Sequence, residues 1–344
     1  MIIEKSVSFI IPSYNSEKTI EECLNKILSE SEKIDSEILV IDDCSTDKTA
    51  EIVNKFKDVK LFKLKKNNGV GYARNVGSKL AKKNILCYVD SDLIISSNSV
   101  LKLVHVLLNN KKNGTVGAIP IATTLNRKSW SSKFVGLRSS FGFEGVLDEI
   151  VVTDVQSEFF VIFKNFLNEI GGWKYFRNAG GEEFELGDRV NLANKRNIKI
   201  KGATYETYWS DLKTKFKKNI DRTEKYIHII FERKKNGVTL FDSKGSSATK
   251  YDAFSALMTS FMFLNLLIIP FTSSIIFLIF LAVSFLIQIY LEFDFLLTTK
   301  KMYGFKMFFY SIYAIQIWNL GIFFGAIYFC LNLLKKIPQK KVLL

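Results

Sequence analysis

The sequence predicts an α/β fold with a mostly parallel central sheet, followed by transmembrane helices. Three observations carry this prediction. β-rich runs and amphipathic helical runs alternate over the first 122 residues, which implies a doubly wound sheet. The apolar run Ile85, Leu86, Tyr88 and Val89 ends in Asp90-Ser91-Asp92, so two carboxylates emerge at the carboxyl end of a buried strand, where open α/β sheets bind ligands. Finally, no charged residue occurs from Ala253 to Leu291 or from Met307 to Leu334, and both runs exceed the roughly 20 residues a spanning helix needs.

Each element follows from its local pattern. Val7 to Ile11 is a strand closed by Pro12. Ser16 to Ser31 is helical, with Ile20, Cys23, Leu24, Ile27 and Leu28 on one face and Ser16 as the expected N-cap. Glu37 to Ile41, Val59 to Leu64, Ile85 to Val89 and Val116 to Ala122 read as further strands. Helices are expected at Asp47 to Phe56 and from about Gly71 to Ala81. Residues 123–155, with Trp130, Phe134, Phe141 and Phe143 among Ser, Gly and Lys, have the character of a loop or lid. A strand resumes at Phe159 to Phe163, a helix begins near Glu182, and Ile198 to Ile200 is a short strand.

Three regions follow from composition. Residues 1–211 are the globular domain. Residues 212–250 are a basic amphipathic segment, in which Leu212, Phe216, Ile220, Ile227, Ile230 and Phe231 share one face among many Lys and Arg, suited to an anionic bilayer surface. Residues 251–336 are the membrane anchor, with 253–291 a helical hairpin turning at 270–274 and 307–334 a further hydrophobic helix; residues 337–344 are a tail. The net charge of +14 beside such a tail points to membrane and not to nucleic acid. Lysines 300, 301 and 306 on one side, and 335, 336, 340 and 341 on the other, both favour the cytoplasm, which leaves the number of crossings open. No signal peptide is visible at Met1-Ile2-Ile3-Glu4-Lys5. Four cysteines without framework spacing fit a reducing compartment, and two histidines exclude His-rich metal chemistry.

An acidic turn after a strand is common loop chemistry, but Asp90 and Asp92 have companions. Val7-Ser8-Phe9-Ile10-Ile11-Pro12-Ser13-Tyr14-Asn15 resembles the opening strand of family-two inverting glycosyltransferases, which have the A-type glycosyltransferase fold. Glu37 to Asp47, Asn68 to Gly77, Asp90-Ser91-Asp92, Gly171-Gly172-Trp173 and Gly181 to Leu186 resemble that family's later segments in order, over roughly residues 6–210. The resemblance implies a nucleoside-diphosphate sugar as donor, with Pro12, Tyr14, Asp42, Arg74 and Asp90 on the nucleotide side. It implies Mg²⁺ or Mn²⁺ held by Asp92 and Asp90, and a general base at Glu183, or less favourably Glu182, on the acceptor side. The physical roles are consistent: Asp42 accepts from a base or ribose, Tyr14 offers a ring or hydroxyl, and Arg74 complements phosphate. A divalent cation offsets charge on the departing diphosphate.

The pair at the expected base is Glu-Glu where the family more often has Glu-Asp, and Cys44 stands where glycine is common. No histidine follows residues 198–200; Tyr208-Trp209-Ser210-Asp211 stands there, with Asp211 a speculative further ligand. The Gln-x-x-Arg-Trp signature of processive relatives is absent. The expectation is an integral cell-membrane enzyme with a cytoplasmic catalytic domain that moves one sugar to a lipid-linked or membrane-proximal acceptor. Two rivals are a sugar-phosphate nucleotidyltransferase and a non-catalytic, membrane-tethered sugar-nucleotide binding protein.

Overall fold

The computed structural model describes residues 5–123, 129–141, 149–152, 155–174, 181–207, 210–235, 250–271 and 275–334. Expectations for Phe143, Tyr208, Trp209, the turn residues 272–274 and the lysines after 334 lie outside the described residues.

The strands are β1 (Ser6–Ser13), β2 (Asp35–Asp42), β3 (Val59–Lys63), β4 (Ile85–Val89), β5 (Leu93–Ile95), β6 (Thr115–Ala122), β7 (Glu149–Val152), β8 (Phe159–Phe163) and β9 (Arg196–Thr207). The helices are α1 (Ile20–Ser31), α2 (Thr49–Val53), α3 (Val70–Leu80), α4 (Ser99–Asn109), α5 (Trp130–Ser140), α6 (Lys164–Glu169), α7 (Glu182–Leu192), α8 (Leu212–Lys235), α9 (Lys250–Ile268), α10 (Ile275–Leu291), α11 (Phe293–Tyr303) and α12 (Phe305–Leu334).

The sheet runs β3-β2-β1-β4-β8-β6-β9-β5, with β7 paired to β9. The first four strands are mutually parallel, and beyond β4 the sheet is mixed. Strands β1 and β4 are buried along their whole length; β4 accordingly reads as a continuous apolar run, whereas β1 carries Ser6, Ser8 and Ser13 among its apolar residues. The chain leaves β1 toward β2 and β3, then returns past β1 to β4. The order therefore reverses between β1 and β4, and a crevice opens there at the carboxyl ends. Ile10 stands opposite Tyr88 in that pair, so Pro12 and Asp90, each two residues further on, meet at the crevice.

Several elements differ from expectation, each for a local reason. Helix α1 starts at Ile20, not Ser16, because the Ser16 hydroxyl is engaged across the crevice with Ser91, 2.7 Å away. Strand β9 extends over 12 residues, since it pairs with β6 through register shifts that interrupt its alternation. Helix α4 buries Val100, Leu103, Val104 and Leu107, a helical stripe that sequence reading passed over. Within the expected loop at 123–155, residues 130–140 form α5. Phe134 of that helix packs with Phe295, Met307 and Ile315 in a second core, separate from the core of the sheet.

The C-terminal helices surround that second core. Helices α9 and α10 pack as a pair, and α11 departs from α10 at 63°. Glu292 at this break is buried and accepts from Arg138 of α5 at 2.5 and 2.8 Å. Of the described helices, α12 is long and apolar enough to cross a membrane over Phe305–Asn332, and the bent pair α10–α11 passes the same test jointly. A buried polar cluster joins α9, α10 and α12. Gln288 donates to Ser255 and Thr259, Gln316 donates to Gln288 at 2.7 Å, and Asn319 donates to the Ser255 and Thr259 hydroxyls at 2.9 and 3.1 Å.

Helix α8 lies against α12, where Gly321 and Gly325 admit its backbone. A β-carbon at Gly325 would sit 2.6 Å from the Ile220 carbonyl, and one at Gly321 would sit 2.8 Å from that of Phe216. The sequence expectation placed α8 on a bilayer surface. In the structure one side of it is covered by α12, and its Tyr226 meets Phe184 of α7 edge to face.

Candidate active site

The crevice between β1 and β4 has a volume of about 330 Å³ and is lined by Pro12, Tyr14, Asp90, Ser91 and Asp92, among others. Four of the residues expected at the site thus meet in one place. Tyr14 is half exposed at the rim, where its ring is available to a planar ligand. The rim is braced from both sides. Asn15, at a positive φ of 50°, donates from its backbone to Ser45 and accepts from Thr46. Cys44 adopts φ 67°, a left-handed conformation that favours glycine and explains the residue common in its place.

Asp42 and Asp43 divide the work of the adjoining turn. One Asp42 oxygen accepts from the Ser45 backbone at 2.9 Å, and the side chain is fully buried behind the crevice lining. Its second oxygen has no hydrogen-bond partner among the described residues; Lys63 lies 3.9 Å from it. Asp43 accepts from the backbone N–H groups of Asn68 and Gly69 at 2.9 and 2.8 Å, fastening the entry to α3.

Arg74 departs from its expected setting. It is 1% exposed, on the buried face of α3, and does not line the crevice. Its guanidinium donates to Asp90 at 2.9 Å and to Glu182 at 3.4 Å, with its plane 4.9 Å from the Trp173 ring centre. Trp173 is in turn held by Asn75, which donates to its carbonyl at 2.6 Å and accepts from its backbone N–H at 2.8 Å. Arg74 therefore joins the acid of the β4 turn to the acid at the start of α7, and any reach to a nucleotide passes through Asp90.

Glu158 was not anticipated from sequence. Antiparallel pairing sets Val89 against Phe159, and the Asp90 N–H donates to the Glu158 carbonyl at 2.8 Å. The Glu158 side chain accepts from Tyr205 at 3.0 Å. Desolvation pushes the Asp90 carboxyl up to about 7; Arg74 opposes the shift, and Asp92 and Glu158 add to it. Asp92 is exposed at the crevice mouth, yet desolvation and then Glu158 also raise its carboxyl.

The two glutamates at the α7 start are not equivalent. Glu182 is buried on Arg74. Glu183 is half buried and accepts from the Gly181 N–H at 3.2 Å. Desolvation raises its carboxyl, and the neighbouring charge of Glu182 raises it further. Asp211 is committed elsewhere: it accepts from the Thr214 N–H at 2.7 Å as the cap of α8, which holds its carboxyl low.

No group of three or more His, Cys, Asp or Glu side chains among the described residues forms a preassembled metal site. The donor set nevertheless suits a hard cation. Asp92 and Glu158 both raise the Asp90 carboxyl, and Glu158 raises that of Asp92, an excess of negative charge that a divalent ion with oxygen preference would relieve.

The sheet order, the crevice at its reversal and the paired acids define the A-type glycosyltransferase fold. The mannosyltransferase from Pyrobaculum calidifontis, solved with GDP-Man and Mn2+, has the same fold over 95% of this chain and 87% of its own, with a TM-score of 0.56 at 14% identity. Residues 8–171 match the model of Glycosyl transferase family 2 and form a domain of that family. The poly(ribitol-phosphate) beta-N-acetylglucosaminyltransferase TarS of Staphylococcus aureus is 41% identical over 98 residues, 27% of this chain and 17% of the relative. The UDP-Glc:alpha-D-GlcNAc-diphosphoundecaprenol beta-1,3-glucosyltransferase WfaP of Escherichia coli is 36% identical over 107 residues, 30% of this chain and 42% of the relative. The chain thus spans less than half the length of these curated relatives.

Proposed function

We propose that this protein is a membrane-anchored, metal-assisted inverting glycosyltransferase. It moves a single sugar from a nucleoside-diphosphate sugar to a lipid-linked or membrane-proximal acceptor, with its catalytic domain on the cytoplasmic side. One observation carries the reading: Arg74 bridges Asp90 of the crevice and Glu182 beside Glu183, so donor-side and acceptor-side acids form one charged array.

In this reading the nucleotide occupies the crevice, with Tyr14 and Pro12 against its base or ribose, Asp90 toward the ribose and Asp42 ordering the rim. Asp92, with Asp90 behind it, would hold Mg²⁺ or Mn²⁺, which would supply charge neutralisation on the diphosphate. Glu183 accepts the proton of the acceptor hydroxyl as that oxygen bonds to the anomeric carbon. The bond from that carbon to the diphosphate oxygen breaks on the opposite face, its electron pair leaving with the nucleoside diphosphate and inverting the centre. Commitment of Glu182 to Arg74 favours Glu183 as base. The WfaP name specifies a lipid diphosphate acceptor, and the apolar α12 suits an acceptor of that kind here.

The test is a donor screen with the purified full chain and Mn²⁺, scoring release of nucleoside diphosphate. Glu183→Gln is expected to keep donor binding and lose about 10²–10⁴-fold in turnover. Undiminished turnover would overturn the base assignment, and release of pyrophosphate would favour the nucleotidyltransferase rival.

A further inference from the structure

Among the basic residues of α8, Lys218 and Arg222 are exposed and Lys215 is partly buried. Lys215, Lys218 and Arg222 recur at helical spacing and form one stripe. Each acts electrostatically on an acid of the site: Lys218 on Asp92, Arg222 on Glu183, and Lys215 on both Glu158 and Glu183. Among the described residues, no carboxylate lies within ion-pair distance of these three cations, whereas Arg74 has two. Lys215 rests 4.4 Å above the Trp318 ring of α12. Burial and then the neighbouring Arg222 depress its ammonium to about 7, so an anion seated beside it would restore its full charge.

The position of the stripe defines the anion it suits. The side of α8 behind it is seated on Gly321 and Gly325 of α12, whose Phe309, Tyr313 and Tyr328 are exposed. The stripe therefore stands where the charged cleft meets an apolar surface. Lys215 and Arg222 are close enough to Glu183 to act on its charge. A head group there sits beside the proposed base, while an attached apolar chain follows α12.

We propose that Lys215, Lys218 and Arg222 seat the phosphate or diphosphate of an amphiphilic acceptor whose apolar chain lies along α12. This rests on the transferase reading for its purpose, but its evidence is separate.

The test titrates the full chain in detergent micelles with a polyisoprenyl phosphate and with the corresponding polyisoprenol, reading tryptophan fluorescence. Mn²⁺ with a nucleoside diphosphate is titrated separately. The phosphate is expected to bind at least about tenfold more tightly than the alcohol. Lys215→Ala with Arg222→Ala should remove that preference and leave nucleoside diphosphate binding unchanged. Arg222→Gln alone should weaken it in part, and serves if the double variant does not fold. Equal binding of phosphate and alcohol overturns the proposal, as does a loss confined to the nucleoside diphosphate, which would assign the stripe to the donor. Phosphate-selective binding without sugar transfer rejects the proposed reaction and leaves the seat standing. Transfer without phosphate preference does the reverse.

Discussion

At the scale of single residues, the protein holds its acids in unlike environments and so gives them unlike tasks. Glu183 is raised above the ordinary glutamate value of 4.5 by burial and by Glu182. A base works only when deprotonated, and a raised value keeps the proton on to higher pH. Turnover is therefore expected to fall on acidification at a pH above that of an ordinary glutamate, and a kcat–pH profile reads this directly. Glu183→Asp should keep an acidic limb, and Glu183→Gln should abolish it. Cys44 offers a stability test. Its left-handed backbone costs about 1–2 kcal/mol, and glycine loses about 0.5–1 kcal/mol more entropy on folding. Cys44→Gly should therefore stabilise the protein slightly, by at most about 1.5 kcal/mol, visible as a higher thermal midpoint. Asp90 and Asp92 were legible as an acidic pair from their strand alone. Arg74 was legible as important but not in its orientation, because helical spacing does not say which face of α3 the sheet will cover. Glu158 was illegible: it precedes an ordinary apolar strand, and only the antiparallel pairing of β8 with β4 brings it to the site.

At the scale of elements, local pattern predicted well where burial is complete. Strands β1, β4 and β8 are buried throughout, and their bounds differ little from the reading of the sequence. Pattern failed where a partner distant in sequence decides the outcome. Helix α5 was read as loop because its apolar residues answer to α11 and α12, more than 150 positions away. Helix α8 has the composition of a membrane-surface helix, and what sequence reading missed is its close approach to α12 at Gly321-Ile322-Phe323-Phe324-Gly325. That Gly-x-x-x-Gly spacing was the overlooked signal. Gly325→Leu would collide with the Ile220 and Thr223 region and separate α8 from α12. The expected result is a destabilised protein, with overpacking costing about 1–3 kcal/mol, and lost transfer even though every acid of the crevice is intact. Gly325→Ala should be milder on both thermal unfolding and activity assays.

At the scale of the whole molecule, the two cores are joined by specific ties. Arg138–Glu292 and Phe134 fix α5 to the C-terminal helices, and α8 links those helices to α7. The many exposed apolar side chains of α9, α10 and α12 form a surface suited to lipid. The full chain is expected to stay with membranes through alkaline carbonate washing and to be released by detergent; recovery in the wash would remove the integral-membrane reading. The polar cluster of Ser255, Thr259, Gln288, Gln316 and Asn319 has a consequence for biogenesis. In hydrocarbon each amide needs a partner, and model helices gain roughly 1–2 kcal/mol from such bonds. Gln288 finds partners on α9; the Asn319 amide of α12 donates to Ser255 and Thr259 of α9, and the Gln316 amide donates to Gln288 of α10 as well as to the Ile312 carbonyl of its own helix. On the integral-membrane reading the last segment enters the membrane as a dependent of the preceding two, and the crevice, whose α8 leans on that segment, is completed only when synthesis reaches the end of α12.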